Sequence, residues 1–264
     1  MKIATFNINN VNKRLQNLLA WLKTARPDIV CLQELKCTDS DFPAAALKRV
    51  GYQAVWQGQK TWNGVAILAR DAEPVLIRSE LPGDPTDVQA RYIEAAVAGI
   101  VIGCIYLPNG NPQPGPKFDY KLAWFKRLAK HARYLLREKV PVILAGDFNV
   151  ATAAIDVYPT TSWDDDALVQ PASRAAYARL LKQGWTDTLR ATHGEERIYT
   201  FWHYMRNCWE RDAGLRLDHL LLSPSLAPQL TDSGVGRSVR GKPGASDHAP
   251  VWIELNLSKH GRSQ

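Results

Sequence analysis

Apolar and polar positions trade places along the chain with two periods. Residues 2–8, KIATFNI, alternate in the period of two that marks a half-buried strand. Over 13–25, KRLQNLLAWLKTA, Leu15, Leu18, Leu19 and Leu22 recur at helical spacing, and Pro27 closes that helix. IVCLQ at 29–33 predicts a second strand and Phe42 to Val50 a short helix. Strands follow near 52–57, 64–69, 92–98 and 100–106. The longest helical stretch is 117–137, KFDYKLAWFKRLAKHARYLLR, with a basic outer face. VPVILAG at 140–146 reads as a buried strand, Ala172 to Lys182 as a helix, and Leu217 to Leu222 and Val251 to Leu257 as late strands. No repeat, low-complexity segment or long linker interrupts the series; Pro and Gly cluster only at 108–116 and 241–244. Strands arriving in pairs between helices imply layered sheets flanked by helices rather than one alternating parallel sheet.

The strands end in an unusual way. IATF runs into Asn7, IVCLQ into Glu34, VIGCI into Tyr106 and then Asn109, and VILAG into Asp147 and Asn149. Asp218 enters the strand at 217–222, and Ser246-Asp247-His248 precedes the last one. Each has a plainer reading taken singly. Gly, Asp and Asn form turns, Asp218 can simply start a strand, Asp247-His248 can be a capped turn, and Tyr106 can be an ordinary strand aromatic. Gathered at one edge of the sheets, they would make a pocket rich in carboxylates and amides, with one His and one Tyr. Hard divalent cations such as Mg²⁺ take oxygen donors of this kind.

Bulk properties narrow the field. A chain of 264 residues, 45% hydrophobic, can bury a sizeable core, and a single domain over 1–257 with a frayed tail at 258–264 is expected. Lys and Arg outnumber Asp and Glu by 33 to 26, a balance that favours a polyanionic partner. No run of apolar residues is long enough to cross a membrane, and MKIATFNINN lacks a signal-peptide core, so a cytoplasmic protein without membrane contact is expected. Of the four cysteines, Cys31 and Cys104 lie in apolar strands, and Cys37 and Cys208 are isolated. Without C-x-x-C or zinc-type Cys/His spacing, neither a disulfide framework nor a structural zinc is expected.

Seven motifs run through the chain in order: FNIN at 6–9, LQELK at 32–36, YLPNG at 106–110, GDFN at 146–149, TFW at 200–202, GLRLDHLL at 214–221 and SDHAPV at 246–251. On these residues the chain resembles the endonuclease/exonuclease/phosphatase superfamily, and more narrowly the exonuclease III branch of abasic-site (AP) endonucleases. YLPNG points to the DNA-repair branch, away from relatives that act on lipid or inositol phosphates. The resemblance implies a four-layer α/β sandwich, with two mixed β-sheets packed face to face and helices outside. It implies a monomer acting on double-stranded DNA at abasic sites and 3′ ends, with one or two Mg²⁺ ions or Mn²⁺ in their place. The reactions would be Mg²⁺-dependent cleavage 5′ to abasic sites, together with 3′-phosphatase, 3′-phosphodiesterase and 3′→5′ exodeoxyribonuclease activity.

The resemblance also assigns roles. Glu34 would hold the metal with Asn9 nearby, and Asp147, Asn149, Asp247 and His248 would complete its surroundings. Asp147 would align or deprotonate the attacking water. His248, oriented by Asp218, would contact the scissile phosphate. Tyr106 and Asn109 would bind that phosphate, and Asn7 and Asn149 would orient phosphate or water. Phe201, Trp202 and Leu217 match an apolar pocket for the flipped-out sugar; Leu215 stands where some relatives carry Trp, and Trp209 is a candidate to compensate. Lys117, Tyr120 and Lys121 match positions that meet the DNA backbone, although a solvated basic face is the plainer reading of them. Phosphodiester hydrolysis needs charge neutralised on the phosphoryl oxygens, an aligned water and a stabilised leaving group, and this set of groups can supply all three. The remaining histidines (131, 193, 203, 219 and 260) read as structural or solvent-facing, and the nine tryptophans as mostly core.

One departure stands out. Relatives carry Asn, Lys or Arg in the loop after GDFN, whereas PTTSWDDDALVQ at 159–170 places Asp164, Asp165 and Asp166 there. Either these cap a solvated turn, or they weaken the grip on undamaged duplex while Trp163 wedges beside a base. Two other functions compete: a phosphoesterase acting on a non-nucleic substrate, and a non-catalytic DNA-binding member.

Overall fold

A computed structural model describes residues 1–257; the tail expected at 258–264, with His260, lies outside the described residues. The order of elements is β1 (Lys2–Asn7), α1 (Leu15–Ala25), β2 (Ile29–Gln33), α2 (Ala44–Arg49), β3 (Tyr52–Gln57), β4 (Val65–Arg70), β5 (Val75–Arg78), β6 (Tyr92–Val97), β7 (Ile100–Tyr106), α3 (Pro116–Arg137), β8 (Val142–Asp147), α4 (Pro171–Leu181), β9 (Thr186–Asp187), α5 (Thr188–His193), β10 (Asp218–Leu222), β11 (Leu230–Val235), α6 (Arg237–Arg240) and β12 (Val251–Leu255). Proline at the first turn starts α3 and α4, where its missing N–H costs nothing. The periodic segments appear where expected. The elements absent from the sequence reading are short or lie at the sheet edges: β5 is mostly solvent-exposed, β9 has two residues, and β11 carries Gly234.

Two six-stranded sheets form, in the orders β11-β12-β1-β2-β4-β3 and β5-β6-β7-β8-β10-β9. Both are mixed: β1 with β2 and β7 with β8 are parallel, and the remaining pairs antiparallel. Three apolar clusters mark the layers. One lies between the sheets and draws on Ile3, Cys31, Ile67, Ile102, Ile143, Leu220 and Ile253. A second packs α1 and α2 on the first sheet through Leu18, Trp21, Leu22 and Leu47. A third packs α3 and α4 on the second through Trp124, Leu128, Ala176 and Leu180. The result is the four-layer α/β sandwich.

The strand period then decides what the site contains. Successive side chains in a strand point to opposite faces. Ile3 faces the other sheet, so Asn7 does too; the same parity carries Ile102 and Cys104 to Tyr106, Ile143 and Ala145 to Asp147, and Leu220 back to Asp218. Register aligns three of these residues, since Asp147 pairs with Tyr106 on one side and with Asp218 on the other. Gly146 permits the close approach of β8 to β7, because a Cβ there would lie 1.9 Å from the Ile105 carbonyl oxygen. The inter-sheet core therefore turns polar at one edge, where the chain exits into loops.

Candidate active site

The amide of Asn7 joins the two sheets. Its Nδ2 donates to Glu34 Oε1 at 2.9 Å and to Asp147 Oδ2 at 2.9 Å, and its Oδ1 accepts the backbone N–H of Asn9. Tyr106 donates its hydroxyl to Glu34 Oε1 at 3.0 Å. Burial, and then the Glu34 charge, hold that phenol well above its ordinary range, so it stays a neutral donor. Lys36 bonds Asn9 Oδ1 at 2.7 Å and pairs with Glu34 Oε2 at 2.8 Å, while Asn9 donates to Asp247 Oδ1. Asn9, Glu34, Lys36 and Asn149 all adopt left-handed backbone angles, with φ between 47° and 53°. Non-glycine residues bear a cost there, and their clustering at one spot marks a functional constraint.

Opposite this row lies a buried pair. His248 Nδ1 is 2.8 Å from Asp218 Oδ2, and its Nε2 faces Asp147 Oδ2 at 3.9 Å. Thr200 steadies Asp218 by donating its hydroxyl to Oδ2 at 2.6 Å while accepting the backbone N–H groups of Leu217 and Asp218. Burial disfavours a charged His248, but the carboxylates of Asp218, Asp147 and Asp247 prevail and push its pKa up to about 10. Asp147 moves up to about 7, through burial and the Asp218 charge, against the opposing pull of His248. At neutral pH this leaves an imidazolium beside a carboxyl poised to exchange a proton. Ligand atoms of Asp147, Asp218 and His248 lie within 4.8 Å of one another, close enough to surround a cation. Protonated on both ring nitrogens, His248 is a cationic donor in the unliganded protein.

Several further assignments change. Both N–H groups of Asn7 are spent on carboxylates, so in the unliganded protein Asn7 spaces Glu34 from Asp147. Asn149 is similarly committed, donating to the Leu107 carbonyl and Asp147, and its Oδ1 accepts from Asn109. Asn109 is exposed and keeps one N–H free. Lys121 is 0% exposed and donates to the backbone carbonyls of Asn109, Asn149 and Ala167, with burial pulling its pKa down to about 7. It braces three loops from beneath and cannot reach a DNA backbone; Lys117, one turn earlier, is exposed beside the cleft. Trp202 is also buried: its Nε1 donates to Asp212, and its ring meets Trp209 edge-on at 5.0 Å. The pair fills a separate apolar cluster, so neither ring lines a sugar pocket and Trp209 does not substitute for Leu215. Phe201 does line a cleft of about 450 Å³, with Trp163 and Leu168 across from it; Leu217 and Leu215 back the Phe201 wall.

Sequence reasoning passed over Lys36, Thr200 and Ser246, although each lies inside one of the seven motifs. Ser246 donates to the Asn7 carbonyl and accepts the His248 N–H, tying the last loop to β1. It also missed a buried network behind the site. Arg216 bonds Asp156, Asp187 and Thr152, and His219 bonds the Val150 carbonyl, which fixes the loop after Asn149. His219 is thus structural, and so is His131, 2.7 Å from Glu94.

Residues 4–248 match the Endonuclease/Exonuclease/phosphatase family. The chain is 30% identical to exodeoxyribonuclease III of Haemophilus influenzae over 97% of its own length and all of that protein. It is 31% identical to the DNA repair nuclease APEX1 of Danio rerio, over 97% of this chain and 82% of that one. Among solved structures, the 3′ phosphatase NExo from Neisseria bound to a product DNA hairpin superposes with a TM-score of 0.94 at 40% identity, covering 97% of this chain and all of that one. An AP endonuclease from Archaeoglobus fulgidus gives 0.93 at 36% identity with the same coverage. The chain belongs to the Endonuclease/Exonuclease/phosphatase family, and within it to the hydrolases of the exonuclease III branch.

Proposed function

We propose that this chain is a Mg²⁺-dependent DNA-repair phosphodiesterase. It cleaves the backbone of double-stranded DNA 5′ to abasic sites and acts at the same centre as a 3′-phosphatase, 3′-phosphodiesterase and 3′→5′ exonuclease. It works as a monomer in the cytoplasm, with residues 1–257 as one catalytic unit. The observation that carries this reading is the hydrogen-bonded row Glu34–Asn7–Asp147 facing the buried Asp218–His248 pair. A basic protein whose relatives are named as DNA nucleases favours DNA over a small phosphoester, and the complete set of charged groups argues against a non-catalytic member.

The residues fit a divalent cation. Oxygens of Glu34 and Asn9 already converge on one positive charge, the Lys36 ammonium, and Asp218 Oδ1 is buried without a partner. Glu34, with Asn9, Asp147 and Asp247 around it, would hold the ion, and Lys36 would yield its place. Bound Mg²⁺ supplies positive charge against the phosphoryl oxygens. The remaining work falls to side chains. Asp147 takes the proton of the attacking water, in a geometry set by Asn7 and Asn149. The His248 imidazolium and the free N–H of Asn109 stabilise charge that develops on phosphorus-bound oxygens as the P–O3′ bond breaks, and the leaving oxygen takes a proton from solvent to end as the 3′-hydroxyl. Tyr106 keeps Glu34 aligned, and Phe201 bounds the cleft that receives the sugar.

Glu34→Ala is expected to lower turnover by at least about 10²-fold with circular dichroism unchanged, since the principal anionic anchor is lost. Excess chelator should stop the wild type and added Mg²⁺ restore it; full activity in chelator would remove the metal from this scheme. Comparing an abasic duplex, a 3′-phosphate end and a recessed 3′ end tests the function itself. All three should be hydrolysed and should fail together in the Glu34 variant. Hydrolysis of none of them alongside turnover of an inositol phosphate would favour the non-nucleic reading.

The acidic loop reaches the cleft through Trp163 and Asp166. Asp166 accepts from Asn111, and the Asp165 carbonyl accepts from Gln113, which pins the loop to the segment bearing Asn109. Asp164 and Asp165 are exposed. Changing both to Asn should tighten binding to intact duplex and steepen its salt dependence, by about one unit of slope for each additional phosphate neutralised. Abasic DNA should gain less, so discrimination falls. Unchanged affinity and slope on both duplexes would show that these charges never approach DNA.

A further inference from the structure

On the outer face of the second sheet, α3 and α4 leave a groove of about 940 Å³ between them. Its floor is apolar, formed by Leu122, Phe125, Ala129 and Ala176. Six cations ring it: Lys126, Lys130, Arg133 and Arg137 from α3, with Arg179 and Lys182 from α4 and the turn after it. No acidic side chain lines the groove, and none of the six has a salt-bridge partner among the described residues. Clustering like charges unpaired is unfavourable in isolation, so the arrangement is suited to an anionic occupant.

Position separates this groove from the catalytic edge. Lys121, near the start of α3, braces the Asn149 loop, and Ser173, near the start of α4, bonds the Ala167 carbonyl; both helices begin at that edge and run away from it. At a rise of 1.5 Å per residue, Arg137 lies about 24 Å along the axis from Lys121. DNA seated over Asp147 and His248 leaves most of the groove uncovered.

We infer that this groove docks an acidic, apolar-studded peptide segment of a partner protein, which sets apolar side chains on the floor between the helices and carboxylates against the six cations. The two halves of the lining select this occupant over nucleic acid. A duplex presents a convex ridge of phosphates, which would meet the rim and leave the apolar floor open. A single strand binds by stacking its bases on aromatic faces. The one aromatic ring exposed here, Tyr134 at 50%, already has a face stacked on His131. An amphipathic segment in a groove between helices satisfies both the floor and the rim.

The test uses the full chain and a fluorescein-labelled synthetic peptide that alternates Asp or Glu with Leu or Phe, read by fluorescence anisotropy. Wild type should bind it, and the double variant Lys130→Glu, Arg133→Glu should bind about tenfold or more weakly. A poly-Glu peptide of equal charge should also bind about tenfold more weakly, because it cannot use the floor. Both substituted side chains lie on the helix surface, so folding should persist, as checked by circular dichroism and by undiminished nuclease activity. Absence of binding, equal affinity in the variant, or equal affinity for poly-Glu would overturn the proposal. So would displacement of the peptide by a single-stranded oligonucleotide at matching concentration, which would assign the groove to nucleic acid.

Discussion

Asp147→Asn is expected to lower single-turnover cleavage by about 10²- to 10⁴-fold, the range contributed by a positioned general base. The amide keeps the shape of the carboxylate and can still meet Asn7, so DNA affinity should change little and the loss should appear in the chemical step. A signature in pH accompanies it. In the unliganded protein the Asp147 carboxyl is pushed up to about 7, chiefly by burial. Only its deprotonated form accepts a proton, so the wild-type rate should climb as pH rises through the apparent pKa and level off above it. The variant should lack that limb. If it kept a tenth of wild-type turnover, or retained the ascending limb, Asp147 would not be the proton acceptor.

The second large effect is expected from Asp218→Asn. Asp218 never faces solvent; it acts by keeping His248 charged, through a 2.8 Å bond whose acceptor Thr200 also holds. Without that carboxylate the imidazolium loses its strongest support, and its pKa falls from about 10 toward the ordinary value of about 6.5. The protonated form is the active one, so activity should decline as pH rises through the new value, where the wild type stays active. At pH 8 a pKa of about 6.5 leaves only a few per cent of the ring protonated, so the loss should reach about 30-fold and should shrink on acidification. A uniform loss with an unmoved alkaline limb would show that Asp218 merely supports the fold.

Much of this centre was readable along the chain, because strand ends carry their own signal. Apolar runs flanked by Asn7, Glu34, Tyr106, Asp147 and Asp218 give those groups no apolar role, and a shared edge lets them partner one another even where they are buried. Motif spacing added Asn109 and His248. What the chain concealed are interactions whose partners lie far apart in sequence. Lys121 sits in a helix with a basic outer face, yet it projects inward to three carbonyls from residues 109, 149 and 167. Arg216 collects Asp156 and Asp187 into a buried ionic knot; its side chain is charged, and periodicity gives such residues no reason to be inside. Aromatic residues misled in both directions. Only Trp21, Trp124, Trp185 and Trp202 of the nine tryptophans are buried, while Trp62 is 65% exposed beside the cleft. Thr200 stands within the TFW motif, but a hydroxyl that collects three hydrogen bonds around one aspartate has no pattern of its own in sequence.

Incision of a synthetic duplex with a single abasic analogue, by the purified wild type with and without Mg²⁺, tests the central claim most directly. The expected result is one cut on the 5′ side of the lesion that leaves a 3′-hydroxyl, appears only with the cation, and disappears in Asp147→Asn. An intact duplex at enzyme excess with Mg²⁺ present, or incision that persists in Asp147→Asn, would contradict it.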